Sequence, residues 1–115
     1  MPIQIVSVPV PLGELRQMAG QQFGEFVKAV VDVQRGVMAI GGELHADEEA
    51  LLLQDGARQG DLWGINLYPD RPRSDLIEFD SMINVRPAQG NRTRGVEDAG
   101  VRRQIEDTVG RLVAE

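Results

Sequence analysis

Four stretches of the chain alternate apolar and polar residues with a period of two, and this constrains the fold more than any other feature. Phe26 to Gln34 sets Val27, Ala29, Val31 and Val33 against Lys28, Asp32 and Gln34, and Val37 to Leu44 places Met38, Ile40 and Leu44 on one side. Trp63, Ile65 and Leu67 alternate with Gly64, Asn66 and Tyr68; Ile77, Phe79, Ile83 and Val85 alternate with Glu78, Asp80, Met82, Asn84 and Arg86. Successive side chains of a strand point to opposite faces, so these segments read as strands with one apolar face. None is the continuous apolar run of a doubly covered parallel sheet, and an antiparallel sheet is expected instead.

Helical spacing appears between these stretches. Leu12, Leu15, Met18, Ala19 and Phe23 recur at intervals of three and four, ahead of Gly24. Asp47 reads as an N-cap before Glu48, Glu49 and Ala50 to Gln54, with Gly56 as the left-handed stop. Val101, Ile105, Thr108, Val109 and Leu112 form a stripe opposite Arg102, Arg103, Glu106 and Arg111. Arg35-Gly36 supplies a hairpin turn, and Gly41-Gly42 marks a bulge or a close approach. Residues 1–10 form an extended arm whose Pro9, followed by Pro11, restricts it to a sheet edge. The expected architecture is a two-layer α+β domain over residues 1–115, with a four-stranded, mainly antiparallel sheet, three helices and the order αββαββα. The helices cover one face, and the other carries Lys28, Asp32, Glu43, Asn66, Tyr68, Glu78, Asp80, Asn84 and Arg86.

Composition narrows the function classes. With 115 residues, 42% hydrophobic and 26% charged, the chain suits one soluble globular domain. It has no cysteine, which excludes disulfides and thiol catalysis. Twelve lysine and arginine residues against eighteen aspartate and glutamate residues leave a net charge of −6, the wrong sign for gripping nucleic acid or an anionic membrane over a broad surface. Aromatic residues make up only 4%, too few for a base-stacking platform. The start Met1-Pro2-Ile3-Gln4-Ile5-Val6 lacks a basic leader, and no apolar run approaches a bilayer span, so the cytoplasm is the expected location.

The most unusual stretch is Arg86 to Asp98, rich in donors and glycine. A strand-to-helix loop of this kind can aim backbone N–H groups at an anion while guanidinium groups grip its oxygens in pairs. Arg86, Gln89, Asn91, Arg92 and Arg94, helped by Asn66, Tyr68 and Asn84, are the candidate ligand-binding residues. Gly90 and Gly95 have phosphate-loop spacing, but Val96-Glu97 stands where that motif needs lysine and a hydroxyl residue, so a nucleoside-triphosphate site is not supported. The alternative is a structural connection whose arginines pair with Glu97, Asp98 and the acidic sheet face. A second constellation holds the only histidine: His45 and Asp47, with Glu43, Glu78 or Asp80, would suit a divalent metal or a general base. Against it, one histidine cannot build the common zinc sites, and Asp47 to Glu49 are explained by the helix dipole. Serines 7, 74 and 81 lack the flanking glycines of a nucleophile elbow.

Four blocks carry a family resemblance: Glu43 to Glu49, Asp61 to Pro69, Ile77 to Asn84 and Gln89 to Asp98. Together they resemble a small prokaryotic domain-of-unknown-function family, DUF5674, from about Leu12 to Leu112. The resemblance implies a single domain and brings no activity, cofactor or catalytic residue. The functional expectation is a binding or accessory module that receives a small anionic or polar ligand, or a partner, at the 86–97 loop. The alternatives are a metal-assisted hydrolase using His45 and nearby carboxylates, with a divalent metal as the sole cofactor the residues admit, and a structural protein that forms homodimers. The sequence leaves open whether the protein is an enzyme.

Overall fold

The computed structural model describes residues 2–115, so Met1 of the expected arm lies outside the described residues. In chain order the elements are β1 (Gln4–Val6), β2 (Val10–Pro11), α1 (Leu12–Gln21), β3 (Val27–Asp32), β4 (Val37–Ile40), α2 (His45–Gln54), β5 (Leu62–Leu67), β6 (Ile77–Glu78), α3 (Ala99–Leu112) and β7 (Val113–Ala114). Five strands form the main sheet in the order β1-β4-β3-β5-β6, with every pair antiparallel, while β2 and β7 form a small parallel pair. The α+β class, the three helices and the mainly antiparallel sheet agree with the sequence. The expected four strands become five because the arm pairs as the edge strand β1, and the expected order αββαββα becomes ββαββαββαβ, with β1 and β2 ahead of α1 and β7 after α3.

The β3–β4 hairpin is set by Asp32, whose side chain is fully buried. Its Oδ1 accepts the amides of Gln34 and Arg35 at 3.0 and 3.1 Å, and its Oδ2 accepts Arg35 Nε at 2.7 Å. Gly36, at φ +67°, takes the left-handed position that closes the turn. From there Val27, Ala29 and Val31 of β3, Met38 and Ile40 of β4, and Trp63, Ile65 and Leu67 of β5 pack beneath Leu15 and Ala19 of α1 and Ile105, Val109 and Leu112 of α3.

The second face departs from expectation. Cross-strand register places Val30 between Ala39 and Gly64, and Asp32 beside Leu62, on the side that carries Lys28 and Asn66. Val30, Ala39 and Leu62 form an apolar island that Leu52 of α2 covers, with Ile83 and Ile5 at its margin. The sheet therefore lies between α1 and α3 on one side and α2 on the other, instead of having a single covered face. The expected last strand, Ile77 to Arg86, also stops at Glu78, and the chain then folds back over this second face.

Helix α2 begins at His45, with Leu44 in the capping position and no side-chain cap. Asp47, expected as the N-cap, instead sits in the first turn, where its charge still suits the helix dipole. The next acid, Glu48, points inward and is 0% exposed. Its Oε2 accepts the Gly42 amide at 3.0 Å, and a β-carbon on Gly42 would stand 2.8 Å from Glu48 Cγ. Here the Gly41-Gly42 pair serves close packing. Burial pushes the Glu48 carboxyl up to about 9, so the folded protein keeps it protonated at neutral pH. An unfolded chain releases that proton near 4.5. The stability associated with Glu48 is thus full below about pH 4.5 and declines as pH rises through the window to about 9. Glu48→Gln is expected to flatten this decline and to raise stability near pH 7 by about 2 kcal/mol. Chemical denaturation across pH 5–9 checks it; a variant less stable than the parent at pH 8 would contradict it.

Candidate functional site

The segment after β6 is held by side chains that imitate a strand. Gly64 of β5 lies beyond the two-residue pairing with β6, and its outward backbone groups are met by one buried amide. Asn84 Oδ1 accepts Gly64 N at 2.8 Å, and Asn84 Nδ2 donates to Gly64 O and to Arg94 O, each at 2.9 Å. A β-carbon at Gly64 would stand 2.5 Å from Ser81, so glycine is required for this approach. Ser81 in turn donates its amide to Arg94 O at 2.9 Å and accepts Ile83 N at its hydroxyl. An asparagine in a strand-like pattern competes for backbone partners in this way, which is why alternation through Asn84 does not produce a strand.

The 86–97 loop is closed by a backbone bridge between Arg86 and Asn91 around Gly90, at φ +85°. Asn91 is buried, and its Nδ2 donates to the carbonyls of Asn84, Thr93 and Gly95 while its Oδ1 accepts Glu97 N at 2.9 Å. The Arg86 guanidinium lies 4.2 Å from the Trp63 ring centroid and donates to the carbonyls of Gln59 and Leu62. Gln89 Nε2 reaches Gly60 O at 2.8 Å. Glu97 Oε2 accepts the amides of Arg92 and Thr93, and Asp98 caps α3 through the amides of Gly100 and Val101. The loop amides are thus occupied from within: Arg92 and Thr93 by Glu97, Gln89, Gly90 and Asn91 by backbone carbonyls, and Gly95 by the Thr93 hydroxyl. Of the loop candidates, Arg86, Gln89, Asn91 and Asn84 hold structure. The Arg92 guanidinium has no protein partner among the described residues, and Arg94 leaves the loop for the sheet.

Arg94 arrives at a cluster of polar side chains where the start of α2 meets the second sheet face. Its Nε donates to Asp80 Oδ1 at 2.6 Å. Asn66 Nδ2 donates to Glu78 Oε1 at 2.8 Å, and the Tyr68 hydroxyl donates to the same oxygen at 3.1 Å. From α2, His45 Nε2 bonds the Ile65 carbonyl at 2.7 Å, and a carbonyl partner requires the proton on Nε2. Burial holds the His45 pKa below 6.5, against the opposing carbonyl bond; Lys28 and Arg94 lower it further and Asp80 raises it. Lys28 Nζ donates to Glu43 O at 3.0 Å and rests 4.9 Å over the Phe23 ring. Asn66 is 7% exposed, and its Oδ1 has no partner among the described residues. Burial and the Glu78 bond both raise the Tyr68 hydroxyl.

The structure therefore brings together His45, Asn66, Tyr68, Glu78, Asp80 and Arg94, which the sequence divided between two constellations. It adds Lys28, whose signal was its position opposite Asn66 in the β3–β5 register. Asp47 is exposed on α2 and outside the cluster, and Glu43 contributes a carbonyl. Among the described residues no three His, Asp or Glu side chains converge as a metal site. His45 Nε2 is committed to a carbonyl, Glu78 to Asn66 and Tyr68, and Asp80 to Arg94. Asn91 supports this cluster at a distance by fixing the loop that delivers Arg94. Asn91→Ala is expected to cost about 3 kcal/mol in denaturant unfolding and to accelerate amide exchange at Arg92 and Thr93. Unchanged stability would contradict its role.

The family model described as "Protein of unknown function (DUF5674)" matches residues 4–112, from β1 through α3. No curated protein and no solved structure matches the chain. Covering every element of the main sheet and all three helices, this match shows that the chain belongs to the DUF5674 family.

Proposed function

We propose that the protein is a small binding module that takes a polar ligand bearing an anionic group at the polar cluster of Lys28, His45, Asn66, Glu78, Asp80 and Arg94. The observation that carries this reading is the arrangement of His45. Its Nε2 is pinned to the Ile65 carbonyl, so the neutral ring carries its lone pair on Nδ1, which has no protein partner among the described residues. Around it stand Lys28 and Arg94, two cations that would receive an anionic group, and Glu78 and Asp80, whose remaining oxygens would receive a ligand hydroxyl or ammonium. Such convergence of a perturbed histidine with charges of both signs is common at functional sites.

The site differs from the loop tip that the sequence favours, because the Arg92 and Thr93 amides there are already occupied by Glu97. It retains the loop's contribution through Arg94. Among the described residues no helix is long and apolar enough to cross a membrane.

The single histidine is a direct reporter. Its imidazole nitrogens are expected to titrate with a midpoint below 6.5 by NMR. Titration with phosphate, nucleotides, polycarboxylates and free amino acids is expected to yield at least one compound that moves the His45 ring and Lys28 signals saturably in the parent and fails to do so in Arg94→Ala. If the whole panel leaves the His45 resonances in place, the cluster is not a site for such ligands.

A further inference from the structure

A second cationic feature lies away from this cluster, on the far side of Tyr68. Between α1 and the turn that follows β5 is a groove of about 440 Å³ walled by Leu12, Pro69 and Pro72 and edged by Arg16, Arg71 and Arg73. The chain as a whole carries a net charge of −6, yet this groove gathers three of its twelve basic residues. Asp70 and Glu115 line it as well, the first against Arg16 and the second beside Arg73, which leaves Arg71, among the described residues, as the guanidinium without a carboxylate.

The three arginines are not equally engaged. Arg16 Nε meets Asp70 Oδ1 at 3.0 Å, and both side chains are exposed, a pairing that contributes little and exchanges readily. Arg73 donates one terminal nitrogen to Val113 O at 2.6 Å and stands 3.9 Å from Glu115 Oε1 through Nε. Arg71 makes no side-chain hydrogen bond or ion pair among the described residues. Its guanidinium carbon lies 3.7 Å from the centroid of the Tyr68 ring.

That stacking determines what Arg71 can do. A guanidinium held over an aromatic face by its carbon, with no hydrogen-bond partner of its own among the described residues, has N–H groups left to grip an oxyanion. The shelf beneath is a stack of rings: Tyr68 packs on Phe26 at 5.4 Å, Phe26 stacks on Phe23 at 4.9 Å, and the Arg71 amide donates to Tyr68 O at 3.1 Å. Holding the side chain in place beforehand reduces the entropy lost when a ligand is bound. The flanking prolines restrict the turn in the same sense.

We infer that the groove is a second ligand site, binding a doubly charged oxyanion, either a phosphate monoester or a dicarboxylate, on the N–H groups of Arg71 with Arg16 and Arg73 at its sides. The incoming anion displaces Asp70 from Arg16, exchanging a weak exposed pair for a bridged one. The Tyr68 hydroxyl stays with Glu78 throughout, so this site fills independently of the cluster.

Titration of the arginine Nε–H and backbone amide signals with sodium phosphate, and separately with sodium succinate, tests this at fixed ionic strength against sodium chloride. At least one of the two is expected to shift Arg71 and Arg16 saturably. Arg71→Ala, an exposed turn substitution, is expected to weaken that binding by about tenfold. Arg71→Lys is expected to recover part of it, and Arg103→Ala, on the exposed face of α3, to leave it unchanged. Saturation by phosphate alone or by succinate alone identifies the oxyanion. The inference is overturned if neither anion saturates, or if Arg71→Ala binds as tightly as the parent.

Discussion

The clamp of Asn84 on Gly64 is the interaction on which the rest of the second sheet face depends. β6 pairs with only two residues of β5, which leaves the backbone of Gly64 at an open edge inside the protein. A buried amide and carbonyl without partners would each cost on the order of 1–3 kcal/mol. The Asn84 carboxamide satisfies both at once and spends its remaining N–H on Arg94 O. One side chain thereby fixes where the chain turns after Asp80 and where Arg94 emerges. Asn91 repeats the device one step further along, tying together Asn84, Thr93, Gly95 and Glu97.

Much of the frame was legible from periodicity. The β3–β4 hairpin, the turn at Gly36, the helix stop at Gly56 and the edge position of the arm follow from residue types whose backbone preferences are strong, whereas α1 ends at Gln21, before Gly24, and leaves Phe23 outside the helix. The buried position of Trp63 also follows from its place in the alternation. What escaped was the second layer. Lys28, Asp32 and Asn66 give that face a polar character, but Asp32 is occupied in a turn and Asn66 in a hydrogen-bonded pair, and Val30 between them is apolar. A period of two records which residues share a face, and it does not distinguish solvent from a helix bearing Leu52.

The site was legible in part, for a related reason. Residue types announced the loop arginines and the acids around His45, but not which donors were already spent. Glu97 fills the loop amides of Arg92 and Thr93 while Asp98 caps α3, a local satisfaction that sequence distance alone leaves undetermined. Arg94 and Asp80, fourteen residues apart, meet only because the Asn84 clamp folds the intervening chain back on itself. Glu48 shows the opposite situation: a carboxyl in a run of acids, explained from sequence by the helix dipole, is turned inward, and burial keeps it neutral even though the Gly42 amide it accepts favours the charged form.

Amide hydrogen exchange at Gly64 tests the central claim most directly, since that N–H has no strand partner and relies on Asn84 alone. The account predicts that Gly64 is protected in the parent protein to a degree comparable with Ile65, and that Asn84→Ala releases Gly64 while Ile65 stays protected. A Gly64 amide that exchanges as freely as an unfolded chain in the parent, or one that Asn84→Ala leaves unaffected, would contradict it.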